Sequence, residues 1–590
     1  MLNIKKEEVK LAYIKLKSYA YYNRARVTLL GKILEFEDER IDEKLENLYR
    51  EFIDNEDNWC MEEWIGQVGI VCEPKKVKAS KEQGNIISNL PMQQAIVHQV
   101  NYSVDMPIAL HMFSIIWIMR YGKIIDDNLQ DAVYANRLRD DLQVYKTSLF
   151  DPYYKGYKKW KEDALIRIEK SLDEKNNVVS LCLDIKDFFY SVDMGSSDNG
   201  FSELEKFMEE KLSENEFLQY QEMTEYIKEI CKKYSRNFIK DKILLPIGFL
   251  PSGILANWYL HKFDEEILNT LSPIHYGRYV DDIVVVVNKK DFDEKIIQTI
   301  LVDSKILRKL SKKDKDNIGI SSITYEIFCN RKYKDLFIQD GKIRTIFFDY
   351  NYSRALLCNL QEDLIVNSSI FKFLPEEEPF ISYFYEQVFK VKSKDYTRKF
   401  RSIDDFEIDK YQLSMSITSS IMINKHKINT KATDKYMLTL QNEIKHIFSD
   451  IRAIENWQLW EKAIFLLVQR KQFREVELFV NKVVDLIDNS IVKIEEDHVY
   501  RLKNKTIKVV DELRKYLKRN LIIALANSLA LVHQSYDKAY AKYNYKFIYI
   551  DEQILQEVIE QIKLTNMFRH IYTISPTKLL HQCSRRYVRL

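Results

Sequence analysis

Three acidic residues stand where folding could bring their carboxylates together. Asp184 closes the run Val178-Val-Ser-Leu-Cys-Leu-Asp184, while Asp281 and Asp282 are adjacent in Tyr279-Val280-Asp281-Asp282 and are followed by Ile283-Val-Val-Val-Val287. Residues 178–183 show little polar alternation, which predicts a strand buried on both faces that carries Asp184 to its end. A carboxylate there is costly unless it is exposed or liganded. Taken alone, Asp184 reads more simply as a helix N-cap. The Asp281-Asp282 pair lies between the strand-like runs 278–280 and 283–287, at the tip of a predicted hairpin. Neighbouring side chains on a strand point to opposite faces, so only one of the two can face a given metal squarely. Carboxylates brought together in this way are hard oxygen ligands of the kind Mg²⁺ takes.

A third segment lies between the two acidic ones: Pro246-Ile-Gly248-Phe-Leu-Pro-Ser252-Gly-Ile-Leu-Ala256-Asn257-Trp-Tyr-Leu260. A Pro/Gly turn runs into a helix of small and apolar residues. Gly248 lets backbone approach a ligand closely, and the helix start offers free N–H groups. By itself the segment is equally an ordinary loop and core helix.

The elements that must hold these residues can be read more coarsely. At 590 residues the chain exceeds a single core, and 46% hydrophobic with 30% charged residues describes a globular protein. The 90 Lys+Arg nearly cancel the 88 Asp+Glu, so total charge is silent about polyanionic partners, which follow the local field. Seven scattered cysteines without a Cys-x-x-Cys pair exclude a zinc-ribbon or disulfide framework. The charged start, Met-Leu-Asn-Ile-Lys-Lys-Glu-Glu, does not resemble a secretory signal, and apolar stretches such as 521–532 fall short of a membrane span. The expectation is a cytoplasmic protein without a membrane partner.

All 13 glycines lie at or before Gly341. Tight turns and close backbone approaches need glycine, so the first part is expected to be mixed α/β and the tail a stack of helices. The expected domains are an N-terminal helical segment, 1–69, an α/β unit, 70–350, and an all-helical C-terminal domain, 351–590. Within them, one or two amphipathic helices are expected over 4–56, an apolar helix near 107–120, and layered helices over 457–487 and 513–532. The Asp340-Gly341 pair between alternating apolar runs predicts a hairpin.

The order of a carboxylate strand, a Gly/Pro turn with helix, and a Tyr-x-Asp-Asp hairpin resembles motifs A, B and C of the reverse-transcriptase palm. Asp184-Ile-Lys-Asp-Phe-Phe189 resembles motif A, Leu255-Ala256-Asn257-Trp258-Tyr259-Leu260 the end of motif B, and Tyr279-Val280-Asp281-Asp282 motif C. The resemblance covers roughly 70–350 and implies an α/β right-hand polymerase, with fingers and palm, followed by the helical domain as a thumb or scaffold. It implies two Mg²⁺ ions, or Mn²⁺ in their place, held by Asp184, Asp281 and Asp282 with the Ile185 backbone. Nucleotide contacts are implied at Phe189, Gly248 and Tyr279, with Phe189 crowding a ribose 2′-hydroxyl so that deoxynucleotides are favoured. Lys75, Lys76, Lys78 and Arg137 are candidates for the triphosphate, and a solvated basic loop is the plainer reading of the lysines.

Two departures point to one branch. Ile247 and Pro251 stand in motif B where most members carry a Gln-containing turn, and a long helical tail replaces the usual appended domains. Both traits resemble the bacterial defence-associated, abortive-infection reverse transcriptases. That resemblance implies an RNA-directed DNA polymerase acting against phage, with an RNA template such as a non-coding RNA, deoxynucleoside triphosphates, a DNA product, and homo-oligomer or protein contacts through the tail. It also leaves open template-independent synthesis primed by a protein tyrosine, for which Tyr13, Tyr19, Tyr21 and Tyr22 are candidates, although such a cluster is more often packing. A non-catalytic RNA-binding scaffold is the alternative of another class.

Overall fold

The computed structural model describes residues 2–23, 27–37, 40–53, 59–79, 95–145, 148–239, 241–290, 295–318, 323–329, 333–354, 357–358, 388–393, 403–425, 431–494, 509–532 and 557. Two sheets organise the first 350 residues. β1 (Gly69–Ala79) and β2 (Ala95–Asp105) form an antiparallel ribbon whose register shifts beside Pro74, a residue that cannot donate to a ladder. The second sheet is antiparallel, in the order β4-β5-β3-β8, from β3 (Val178–Asp184), β4 (His275–Tyr279), β5 (Asp282–Asn288) and β8 (Arg344–Phe348).

β3 lies between β5 and β8, and Val178, Val179, Leu181 and Leu183 are buried, as its unalternating sequence requires. The helix Tyr153–Asp173 covers β4, β5 and β3; Trp160, Ala164, Ile168 and Leu172, spaced four apart, form its buried stripe. Between β5 and β8, β6 (Leu307–Lys309) and β7 (Tyr325–Ile327) make a small ribbon.

Three helices, Lys6–Tyr22, Val27–Phe36 and Ile41–Ile53, occupy the region where one or two were expected. The expected boundary at residue 69 is not a break in packing. One apolar cluster runs from Leu2 through Ile185 to Ile338, so these helices share the core of the sheet that follows. The helix over Ile108–Asp127, continuous through a π segment at Ile118–Gly122, is 20 residues long and apolar enough to cross a membrane by length and composition. The expectation that apolar stretches fall short is corrected here. Its apolarity has another use, because 83% of its most apolar window is buried inside the fold.

The tail is not all-helical. β9 (Phe389–Ser393) pairs antiparallel with β10 (Ile403–Ile408), and β11 (Ile491–Ile494) runs parallel to β2 as the third strand of the first sheet. The helices Trp460–Gln469, Phe473–Asn489 and Val509–Val532 build a second core that also takes in Val97 of β2. The absence of glycine over this region excluded none of these three strands, since an extended backbone does not need it.

Candidate active site

The antiparallel register sets Asp184 opposite Asp282 and Leu183 opposite Ile283. Directly opposed residues share a sheet face, so the Asp184 and Asp282 side chains emerge on the same side, with Asp281 in the turn before them. Backbone bonds fix the end of β3. The Ile185 N–H donates to the Asp281 carbonyl at 3.1 Å, and Gln339 N–H donates to the Asp184 carbonyl at 2.9 Å. Ile185 therefore belongs to the site through its amide, whose proton the turn itself takes.

The turn is built with strain. Val280 has φ 60°, a left-handed conformation that a β-branched residue seldom adopts. Its carbonyl accepts from Arg278 Nη1 at 3.0 Å. The same buried guanidinium bonds the Asn257 side-chain oxygen at 3.1 Å and both Asp264 oxygens at 2.8 and 2.7 Å, while Tyr276 donates its hydroxyl to Asp264. Asn257 Nδ2 in turn donates to the Ala135 carbonyl at 2.9 Å. One buried ion pair thus ties the Leu250–Tyr259 helix, the His261–Leu271 helix and the Asp281 turn together. Sequence reasoning missed Arg278 and Asp264. The available signal was an arginine in the short strand-like run that leads into the Asp281-Asp282 pair.

It also missed Lys342. The hairpin expected at Asp340-Gly341 does not form: Asp340–Lys342 is a single 3₁₀ turn, and β8 pairs with β3, while Ile338 bridges Ile185. Asp340 is retained by Thr324, whose amide donates to it at 3.0 Å. This arrangement places the Lys342 ammonium 2.6 Å from Asp184.

Burial first, then the charges of Asp184 and Asp282, push Asp281 up to about 7. Burial and Asp184 likewise raise Asp282. Three carboxylates thus crowd together, with the Lys342 ammonium on Asp184 and the charge of Lys161 also felt at Asp282, a donor set that a hard divalent cation suits. Among the described residues no group of three acidic, histidine or cysteine side chains is placed so that it could hold a metal ion.

The other expected residues are placed as follows. Gly248 has φ 87°, which needs glycine. Beside it the Ile247 carbonyl accepts from Val104 N–H at 2.8 Å, joining this turn to the end of β2. Pro251 lies in the first turn of the Leu250–Tyr259 helix, where its missing N–H costs nothing. Phe189 is half-buried in the short helix Phe188–Ser191, its ring 5.6 Å from that of Phe188. Tyr279 turns to the Tyr153–Asp173 helix, donating to the Tyr153 carbonyl at 3.2 Å.

Arg137 is engaged within the fold. Its guanidinium bonds Asp126 at 2.9 Å and the carbonyls of Asp126, Gln130 and Val133. Lys75 is exposed on β1. The Lys76 and Lys78 side chains lie outside the described residues. Of the four N-terminal tyrosines, Tyr13 is fully buried and donates to Glu37 at 3.0 Å, and Tyr19 packs against the core. Tyr21 and Tyr22 form an edge-on pair at 5.1 Å, with Tyr22 56% exposed.

Residues 123–315, which hold β3, the Leu250–Tyr259 helix and the Asp281 turn, match the family model described as reverse transcriptase (RNA-dependent DNA polymerase). The chain is also similar to the Retron Ec73 reverse transcriptase of Escherichia coli, 31% identical over 129 residues. That stretch is 21% of this chain and spans 37% of the length of the retron protein.

Proposed function

We propose that the chain is an RNA-directed DNA polymerase whose divalent cations are held by Asp184 and Asp281, with Asp282 beside them. The observation that carries this reading is the register that sets Asp184 opposite Asp282 beside the Asp281 turn, inside the segment similar to reverse transcriptases. In the reaction, the primer 3′-oxygen forms a bond to the α-phosphorus of a deoxynucleoside triphosphate, the α–β phosphoanhydride bond breaks, and pyrophosphate leaves. Bound Mg²⁺, or Mn²⁺ in its place, would stabilise the attacking and leaving oxygens. The chain's own residues orient: Arg278 holds the turn, Gly248 gives backbone access, and Phe189 is suited to lie under the sugar and disfavour a ribose. The similarity to a retron reverse transcriptase and the departures at Ile247 and Pro251 support a template RNA that is non-coding and a role in phage defence.

The test is primer extension on an RNA template by the purified chain, with and without Mg²⁺. Metal-dependent deoxynucleotide incorporation is expected, with Asp281→Asn at least about a hundredfold slower because an ion-held charge is worth several kcal/mol. An Asp281→Asn protein as active as the wild type overturns the assignment. Tyrosine-primed synthesis is a second reading, and the exposure of Tyr22 favours that residue over Tyr13. Labelled DNA that survives boiling in SDS and is freed only by protease, lost in Tyr22→Phe, would establish it.

A further inference from the structure

The helix Tyr153–Asp173 begins Tyr153-Tyr154-Lys155-Gly156-Tyr157-Lys158-Lys159-Trp160-Lys161, with four lysines and no acid over nine residues. Exposed aromatic residues are unremarkable singly. Here Tyr153, Tyr154 and Tyr157 fall within five residues and are 75%, 50% and 39% exposed. They also continue directly into the candidate active site. Tyr157 meets Tyr279 edge-on at 5.1 Å, and Tyr279 donates its hydroxyl to the Tyr153 carbonyl. Lys161 lies 4.2 Å over the Tyr157 ring and near enough to Asp282 to bear on its charge. The helix start is seated firmly: a Cβ on Gly156 would lie 2.5 Å from the Tyr134 carbonyl, so only glycine lets the helix approach this closely.

A core-seeking helix would turn these rings inward; this one buries Trp160, Ala164, Ile168 and Leu172 and leaves Tyr153 and Tyr154 largely in solvent, with Tyr157 partly covered by Trp160, Tyr279 and Lys161. Exposed rings with interleaved ammonium groups are the chemistry that recognises an unpaired polynucleotide. Bases stack on the rings while lysines neutralise the phosphates, without sequence preference. A protein partner is the poorer match, because lysine is depleted at protein–protein interfaces while four lysines interleave these rings.

We infer that the Tyr153–Lys161 segment is a stacking platform for single-stranded nucleic acid, leading a strand to or from the Asp184–Asp281 site. The platform deepens the polymerase reading and rests on it for its direction, yet binding can be measured without synthesis. The full chain, in EDTA, is titrated into fluorescein-labelled 12-nucleotide single-stranded RNA, single-stranded DNA and a blunt duplex, followed by anisotropy. Tyr153→Ala/Tyr154→Ala is expected to weaken single-strand binding at least fivefold, since a base–aromatic stack is worth roughly fivefold to a hundredfold. Tyr153→Phe/Tyr154→Phe is expected to bind as the wild type does, because stacking needs the ring and not the hydroxyl. Lys155→Ala/Lys158→Ala is expected to reduce the salt dependence of binding by about two charges' worth. The RNA and DNA arms identify which strand is held.

A loss below fivefold in the alanine pair, an equal loss in the phenylalanine pair, or no single-strand binding by the wild type overturns the platform. Asp281→Asn keeps the two failures apart: it abolishes synthesis under the polymerase reading but should bind single strands like the wild type. The Tyr153, Tyr154, Lys155 and Lys158 side chains are exposed, and the Tyr153 carbonyl used by Tyr279 survives the substitution, so the unfolding midpoint of these variants should not move.

Discussion

At the scale of single residues, the candidate site is an acidic cluster with one tethered cation. Lys342 reaches Asp184 from a 3₁₀ turn 158 residues away in sequence and, in the protein alone, neutralises the carboxylate that a metal ion would use. The two cations compete for the same oxygens. Lys342→Met should therefore tighten Mn²⁺ binding, read from the free-ion EPR signal. Its side chain is 55% exposed, so the pair is worth about 0.2–1 kcal/mol and the gain about two- to fivefold. Weaker Mn²⁺ binding in the variant would make Lys342 a helper of the ion instead. Asp184, Asp281 and Asp282 were legible in the sequence because acids beside β-branched runs are locally conspicuous. Lys342 was not, since the Asp340-Gly341 dipeptide reads as a hairpin and only tertiary pairing of β8 with β3 turns it toward Asp184. The Arg137–Asp126 pair was hidden for a related reason: a cation after a turn reads as free until its partner is found against it.

At the scale of elements, two helices and a strained turn are held by one ion pair. Buried pairs are poor stabilisers against an apolar alternative, but removing one partner strands the other. Asp264→Asn would leave the Arg278 guanidinium buried and half-matched, lowering unfolding free energy by about 3–5 kcal/mol in urea titration. A loss under ~1 kcal/mol would mean that Arg278 finds other partners and does not depend on Asp264. The same sheet edge carries a proton-linked weakness. Burial pushes His275 down to about 4, against the opposing pull of Asp163 and the reinforcing push of Arg167 on the covering helix. The unfolded chain takes up a proton near 6.5 that the folded protein refuses, so stability is full above that pH and is lost as pH falls toward 4. Between pH 7.5 and 5 this single group should remove about 2 kcal/mol. His275→Gln should show a correspondingly flatter loss over that window, and an identical pH slope in both proteins would sink the argument. That β3 and β5 are strands follows from apolar patterning, and their order in the sheet does not. Nor does the φ of Val280, because nothing in a valine announces a left-handed backbone.

At the scale of the whole molecule, the tail is wired into the first sheet. β11 lies beside β2 with Ile491 opposite Ala95 and Ile494 opposite Val97, and Val97 packs in the tail's own core. Arg519 of the Val509–Val532 helix meets Glu35 at 3.1 Å, a second tie across the same junction. Near the far end of β2, Val104 bonds Ile247 beside Gly248. A continuous path of hydrogen-bonded backbone therefore runs from the tail strand through β2 to the motif B turn, whereas β3 and β5 belong to a different sheet. The glycine boundary at residue 341 indicated a change of composition but could not show this pairing, which joins residues almost 400 positions apart. If the tail braces β2, Ile491→Asp, a charge placed at a buried position, should release β11. Amide exchange at residues 95–97 should then quicken about tenfold or more, while 178–184 keep their protection, as expected when one cooperative unit opens without the other. Equal acceleration in both sheets would mean that the molecule unfolds as a single unit. Unchanged exchange at 95–97 would mean that β2 holds its conformation without the tail, and that β11 is a passenger on an edge already made.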